Sequence, residues 1–169
     1  MKKFVTLLFV VMVCMCAKAQ VYMGGSLSLW HNDDADATSF TLAPEVGYEL
    51  NQQWSIGASL MFNHTKSHEK IRSFGFAPYA RYTFFENKPL RLFVDGCLGI
   101  SSTKQGHADS EAGFELGFKP GIALKLTDHF SLVTRYGFLG YRDDYMQGQE
   151  GYGFSFSSED LSIGFHYTF

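Results

Sequence analysis

The last nine residues of the chain alternate strictly between large apolar side chains and small or polar ones. Apolar residues fill positions 161, 163, 165, 167 and 169, and Ser, Gly, His and Thr fill the positions between them. Because side chains of a β-strand point alternately to its two faces, this pattern predicts a strand with one apolar and one polar face. A chain end normally frays into water, so we expect this apolar strand to lie against apolar surroundings.

The same alternation recurs along the chain and predicts eight strands of about ten residues each. The connections between these strands alternate in length, which is typical of an up-and-down meander with tight turns at one end. The sequence therefore predicts an all-β fold, an eight-stranded antiparallel up-and-down barrel whose interior is filled by side chains. The short connections are Asn51–Gln53, Phe85–Pro89 and Thr127–His129, and the long ones are Asn32–Thr38, Thr65–Arg72, Ser102–Glu111 and Arg142–Gly153.

The side chains on the two faces of the predicted strands differ in size, and this difference predicts which face points inward. One face is rich in Gly, Ser and Ala, which suit a narrow interior, so we expect the bulky apolar face to point outward into lipid. A soluble lipocalin-like barrel would have the opposite arrangement. Aromatic residues at the strand ends predict the two interfacial girdles of a transmembrane barrel. The first girdle comprises Phe40, Phe62, Phe74, Phe114 and Phe138, and the second Tyr48, Trp54, Tyr82, Phe84, Phe130, Tyr167 and Phe169.

The first 19 residues have the features of a cleaved secretory signal peptide. Lys2 and Lys3 precede an apolar run, and Ala17-Lys18-Ala19 is a small-x-small cleavage site. The barrel domain is then 20–169. Removing three lysines leaves 11 basic against 17 acidic residues and changes the net charge from −3 to −6. We therefore expect no nucleic-acid partner, because such a partner requires clustered positive charge.

Together with the signal peptide and the eight strands, the stretches "FAPYARYTF", "LRLFVDGCLGI" and "IGFHYTF" resemble the OmpA/OmpX-like family of small outer-membrane β-barrels. The resemblance implies a porin-like protein of a Gram-negative outer membrane, with its loops extracellular, its termini periplasmic and lipid around it. It also implies that the outer-membrane insertion machinery reads the last strand during assembly. The residues of this C-terminal assembly signal are Leu161, Ile163, Phe165, Tyr167 and Phe169.

Charged residues recur on the face that we expect to line the interior. Because an unpaired charge in a narrow, low-dielectric tube costs several kcal/mol, we expect them to pair. The simplest interpretation is a salt-bridged plug that holds the barrel together. A narrow pore whose ion pairs exchange partners and a catalytic set remain as alternatives. The predicted lumen charge network consists of Glu45, Arg81, Asp95, Glu115, Lys119 and Arg135.

The last long connection is the most aromatic of the predicted loops. Tyr152, Phe154 and Phe156 occupy even positions, whereas the apolar residues of the final strand occupy odd ones. Either a β-bulge near Ser157–Ser158 resets the strand, or these rings turn inward and cap the mouth. Exposed aromatic side chains on a protruding hairpin would favour an extracellular surface partner. This predicted aromatic loop surface comprises Tyr141, Tyr145, Tyr152, Phe154 and Phe156.

No motif for catalysis, metal or cofactor binding stands out. His64, Ser67 and His68 supply a His/Ser pair near a strand end, but no acidic residue is placed to orient either histidine. Asp33, Asp34 and Asp36 form an acidic loop without the glycine that a calcium-binding EF-hand needs. We therefore expect a non-enzymatic membrane barrel with a structural or surface-interaction role and no cofactor or metal. A narrow channel is the alternative, and a lipid-modifying enzyme comes third.

Overall fold

The computed structural model describes residues 20–32, 37–66, 70–105, 110–147, 150–156 and 161–169. The predicted signal peptide lies outside these residues, as do the acidic side chains at positions 33, 34 and 36. Within this part of the chain, no helix has the length and apolar character needed to cross a membrane.

The described residues form ten β-strands that pair antiparallel in a single sheet. Consecutive strands pair from the first to the seventh, and the tenth strand pairs with both the seventh and the first, which closes the sheet into a barrel. The strands are β1 Val21–Asn32, β2 Ala37–Glu49, β3 Trp54–Lys66, β4 Lys70–Asn87, β5 Leu90–Gln105, β6 Glu111–Lys125, β7 Phe130–Arg135, β8 Phe138–Asp143, β9 Gly151–Ser155 and β10 Ser162–Thr168.

Four of these strands are halves of longer barrel strands. Both β7 and β8 pair with β6, while β10 pairs with β7 and β9 pairs with β8. Thus β7 and β8 form the seventh strand of the barrel, and β9 and β10 form the eighth. The predicted eight-stranded antiparallel up-and-down barrel is confirmed.

The break between β7 and β8 reverses which side chains point inward. Val133 is buried in the interior on β7, whereas Phe138 is buried on β8, so the inward positions change from odd to even across Tyr136 and Gly137. Gly137 has a φ of 84°, a conformation that favours glycine. The girdle position expected for Phe138 is therefore wrong: this irregularity turns its ring into the lumen.

The apolar face points outward, as predicted. Leu98, Ile122 and Phe165 are each about half exposed, while Glu45 and Arg81 are buried in the interior. A soluble barrel with an apolar interior would have the opposite distribution, so the lipocalin-like alternative is wrong. The interior also contains a few large aromatic rings, which lie beside the buried charges.

Candidate functional site

Five charged or titratable side chains meet across the middle of the lumen, and we call them the central layer. They are Glu45 from β2, Arg81 from β4, Asp95 from β5, Arg135 from β7 and His166 from β10. Arg81 donates through Nε and Nη2 to the two carboxylate oxygens of Asp95, at 2.7 and 2.9 Å. Arg135 donates through Nε to Asp95 at 2.8 Å and through Nη2 to Glu45 at 2.6 Å. His166 hydrogen-bonds to Glu45.

Arg135 connects the two carboxylates of the central layer. Its planar guanidinium suits two acceptors at once, because its N–H groups diverge in a rigid fork. The side chains of Glu45 and Asp95 are only 4% and 3% exposed. The layer therefore joins five of the eight barrel strands through buried, charge-assisted hydrogen bonds.

Aromatic rings fill the space around the central layer. Tyr22 stacks on His166 with ring centroids 4.8 Å apart, and its hydroxyl hydrogen-bonds to that of Tyr79 at 2.8 Å. The guanidinium of Arg81 lies 3.9 Å from the centre of the Phe93 ring, a cation–π contact. These rings exclude water from the ion pairs. If one charged side chain were removed, water could therefore not solvate the charge that remains.

The small residues of the inward face make room for these rings. A Cβ built on Gly47 would lie 2.1 Å from the Tyr22 ring, and one built on Gly121 would lie 2.3 Å from the Phe93 ring. The sequence-based expectation of small interior residues is therefore incomplete, because the glycines are covered by aromatic side chains. The five ring–glycine pairs are Tyr22 with Gly47, Tyr79 with Gly57, Phe93 with Gly121, Phe138 with Gly117, and Tyr145 with Gly99.

A second group of charges, the upper cluster, lies closer to the long connections. It centres on Glu115, which is completely buried and accepts from Lys119 at 2.5 Å and from Nε of Arg142 at 2.6 Å. The Arg142 guanidinium also lies 3.9 Å from the centre of the Phe138 ring. Arg142 was missed in the sequence, where it marked the start of a loop. It points inward because the break at Gly137 shifts the inward positions of β8.

A turn after β8 folds back into the barrel above the upper cluster. Tyr145 is 4% exposed, and the backbone N–H of Met146 donates to the Ser101 hydroxyl at 3.0 Å. Asp144 and Met146 have φ angles of 47° and 52°, and for Met146 this conformation is costly. The exposed position expected for Tyr145 in the aromatic loop surface is wrong: its ring is buried and fills the space over Gly99 inside the barrel.

The short-turn end of the lumen is more open. Arg91 donates to Glu86 and to Glu49, both at 2.9 Å, in a partly exposed network. A polar recess of about 70 Å³ extends from there to Arg81 and Tyr22 and stops at the central layer. The recess therefore reaches from the short-turn end as far as the ion pairs of the central layer.

Comparison with known proteins identifies the architecture. A family model described as the outer membrane protein beta-barrel domain matches residues 5–169. The chain belongs to this family. Among solved structures it is similar to Neisserial surface protein A (NspA), at 15% identity and a TM-score of 0.57. It is also similar to the N-terminal beta-barrel domain of Pseudomonas aeruginosa OprF, at 14% identity and a TM-score of 0.55.

Each of these two alignments covers 89% of this chain and 97% of the other. Such low identities show the fold alone. The search of curated proteins found no match. Family membership makes this chain an outer-membrane β-barrel protein, and the remaining predicted residues can be placed on that barrel.

The remaining members of the predicted aromatic loop surface do not protrude on a loop. Tyr141 pairs with Tyr152, and Leu139 with Phe154, across the strands β8 and β9. Tyr152 and Phe154 are 90% and 76% exposed, so the rings do not turn inward to cap the mouth. They extend the outward face of the barrel wall, and Phe156 follows them at the end of β9. The bulge expected near positions 157 and 158 lies outside the described residues.

The C-terminal residues lie on a strand that is paired on both sides. β10 pairs with β1 and with β7, and the backbone N–H of Phe169 donates to the Val21 carbonyl at 3.0 Å. The Tyr167 and Phe169 rings meet edge to face with centroids 5.0 Å apart. The five residues of the predicted assembly signal are all exposed on the outward face: Leu161, Ile163, Phe165, Tyr167 and Phe169.

Cys97 is buried, and its thiol contacts the Gly117 carbonyl at 3.4 Å, as in ordinary packing. Within the described residues, no group of three or more His, Cys, Asp or Glu side chains could hold a metal ion. Ser67 and the His68 side chain lie outside the described residues, so the structure does not place them beside His64.

Proposed function

We propose that this protein is a non-enzymatic outer-membrane barrel with a structural and surface-interaction role, and that ion pairs close its lumen. The observation that carries the proposal is the central layer, in which Arg135 joins Asp95 to Glu45 across the interior. A solute crossing the barrel would have to separate these pairs. Leaving a buried charge unpaired costs about 3–5 kcal/mol, which disfavours a permanently open pathway.

Two further features support closure. The upper cluster places a second set of ion pairs around Glu115, and the Tyr145 turn covers it from the side of the long connections. A solute would therefore meet three successive obstructions. The polar recess at the other end is the one observation that favours the alternative, a narrow channel, and it ends at the first of these obstructions.

Conductance across a planar lipid bilayer tests the proposal. We expect the refolded protein to give no steady conductance. The double variant Arg135→Ala with Tyr145→Ala should give brief openings, because it weakens two obstructions while the strand pairing persists. Arg91→Ala, which changes an ion pair in the recess, is the matched control and should stay closed. A steady ohmic conductance of the unaltered protein would replace this proposal with the narrow channel.

We also propose an orientation, with the long connections extracellular and both termini periplasmic. Exposed positions at the two ends make it testable, since the native Cys97 is buried. A membrane-impermeant maleimide should label Glu150→Cys on intact cells and Gln53→Cys only after lysis. The reverse labelling would invert the orientation without affecting the closed lumen.

The surface-interaction role rests on the exposed aromatic side chains of β9. In the proposed orientation, Tyr152 and Phe154 lie toward the extracellular side, where they can meet the membrane interface or a partner. Replacing both by Ser should reduce the attachment of cells that display the protein to a second cell surface, while its level in the membrane stays constant. Unchanged attachment at equal protein level would remove this role and leave the structural one.

A further inference from the structure

Two basic residues and a histidine stand side by side on the outward face, in register across β3, β4 and β5. His64 pairs with Arg72, and Arg72 pairs with Lys104, so the three occupy one row across the strands. We call it the basic row. Arg72 and Lys104 are both exposed. Cβ atoms of directly opposed residues lie about 4.5–5.5 Å apart, and like charges in such a pair destabilise a sheet.

Nothing in the described part of the chain compensates this repulsion. Among those residues, neither Arg72 nor Lys104 forms an ion pair or a side-chain hydrogen bond. The interior shows the opposite arrangement, since Arg81 directly faces Asp95 across the same two strands. Two adjacent, unneutralised cations on one wall, Arg72 and Lys104, therefore form a candidate anion site, and the surroundings of the basic row decide which anion fits it.

The position of the basic row along the barrel axis identifies the class of anion. Ten residue-to-residue steps of β4 lead from Arg72 to Tyr82, which lies at the short-turn end. At a rise of about 3.4 Å per residue and a tilt of about 40°, they span roughly 26 Å along the barrel axis. The apolar band of such a barrel is about 25 Å tall. The basic row therefore lies at the level of the lipid headgroups, on the side of the long connections.

Immediately below the row, the wall is apolar. The rings of Phe62 and Phe74 pack together with centroids 5.2 Å apart, and Leu60 and Phe76 form the next pair, all exposed on the outward face. Cations above and an apolar surface below match the two parts of an anionic lipid. A free anion would contact only the cations and leave the apolar surface unused.

We propose that the basic row binds the phosphate of an anionic, phosphate-bearing lipid, whose acyl chains lie along Phe62 and Phe74. Arg72 would hold the phosphate with its forked N–H groups, Lys104 would contribute a second charge, and His64 a further donor. In the proposed orientation this lipid belongs to the outer leaflet. The binding itself depends on neither that orientation nor the closed lumen, so it can fail or hold independently of them.

Lipid binding to the refolded protein in a neutral detergent tests the proposal. The probes are phosphatidylglycerol and phosphatidylcholine with identical acyl chains, counted by native mass spectrometry, with inorganic phosphate as a competitor. Each cation near an anionic surface contributes about five-fold in affinity, the equivalent of about 1 kcal/mol. We therefore expect the unaltered protein to prefer phosphatidylglycerol by roughly 25-fold.

The variant Arg72→Gln with Lys104→Gln should lose this preference, while Arg72→Lys should keep most of it. A control with the same change in net charge is Lys88→Gln with Lys125→Gln, two cations at the short-turn end, and it should keep the preference. Equal binding of the two lipids by the unaltered protein would overturn the proposal, as would an equal loss in the control. Displacement of the lipid by millimolar inorganic phosphate would instead indicate a site for free anions.

Discussion

Removing Arg135 is the sharpest test of the central layer, because this residue holds two buried carboxylates. In Arg135→Ala, Asp95 keeps both of its hydrogen bonds from Arg81, at 2.7 and 2.9 Å. Glu45 loses its 2.6 Å partner and keeps only the ring nitrogen of His166. One charge is therefore left uncompensated, so we expect a loss at the lower end of the range for broken buried pairs, about 3 kcal/mol.

Urea unfolding of the protein refolded in lipid vesicles measures this loss. Trp54 lies on the outward face near the short turns and reports the transition by fluorescence. Arg91→Ala is the matched control: its side chain is 33% exposed and its partners are partly solvated. That variant should lose less than about 1 kcal/mol, because water replaces the lost ion pairs.

A second substitution separates the lost charge balance from lost packing. Adding Glu45→Gln to Arg135→Ala removes the uncompensated charge and keeps the side-chain volume, so it should restore more than about 1 kcal/mol. If Arg135→Ala and Arg91→Ala cost the same, the central layer is not a buried ion-pair network. If Glu45→Gln restores nothing, the loss comes from packing alone.

Three further substitutions test the wall, the ring–glycine pairs and the chain end. Leu98→Arg should cost about 2–4 kcal/mol of unfolding free energy in vesicles, because Leu98 faces lipid, while Ser59→Ala should cost much less. Gly121→Ala should lower the urea midpoint, because the added methyl group meets a buried ring. The control Gly96→Ala should not, because its Cβ would make only ordinary contacts, and equal shifts of the midpoint would contradict this prediction. Deleting Phe169 should reduce membrane insertion in cells far more than stability after refolding in detergent; equal losses would indicate a packing role only, and no loss in either assay would contradict the assembly signal.

The strands and the outward face could be predicted because both follow from a period of two along the chain. That pattern is local, and it holds wherever a strand is regular. It fails at Gly137, where a positive φ changes the inward positions. A glycine within a strand can mark such an irregularity, but the chain has 17 glycines, so the sequence alone does not single this one out. The girdle position of Phe138 was wrong for this reason, and Arg142 was missed.

Ion-pair partners could be predicted only in part. The sequence indicates which charges face inward, but the choice of partner depends on the direction in which each side chain extends within the lumen. Lys119 and Asp95 are opposite each other in register, yet Lys119 reaches along its own strand to Glu115. Asp95 is left to the two arginines. Arg81 binds it through two N–H groups and Arg135 through one, and these fixed guanidinium forks outcompete an ammonium group in this layer.

The break in the seventh strand explains how the upper half of the lumen achieves its charge pairing. The seventh barrel strand has two residues between Arg135 and Phe138. The eighth strand has six residues between their partners, Ser155 and Ser162. Had the seventh strand continued regularly, Arg142 would point outward into lipid, and the buried Glu115 would keep Lys119 alone. An arginine facing lipid and an under-neutralised carboxylate are both costly. The irregularity removes both costs at once, so we expect that substitutions which force this segment into regular strand geometry will destabilise the upper cluster rather than improve the barrel.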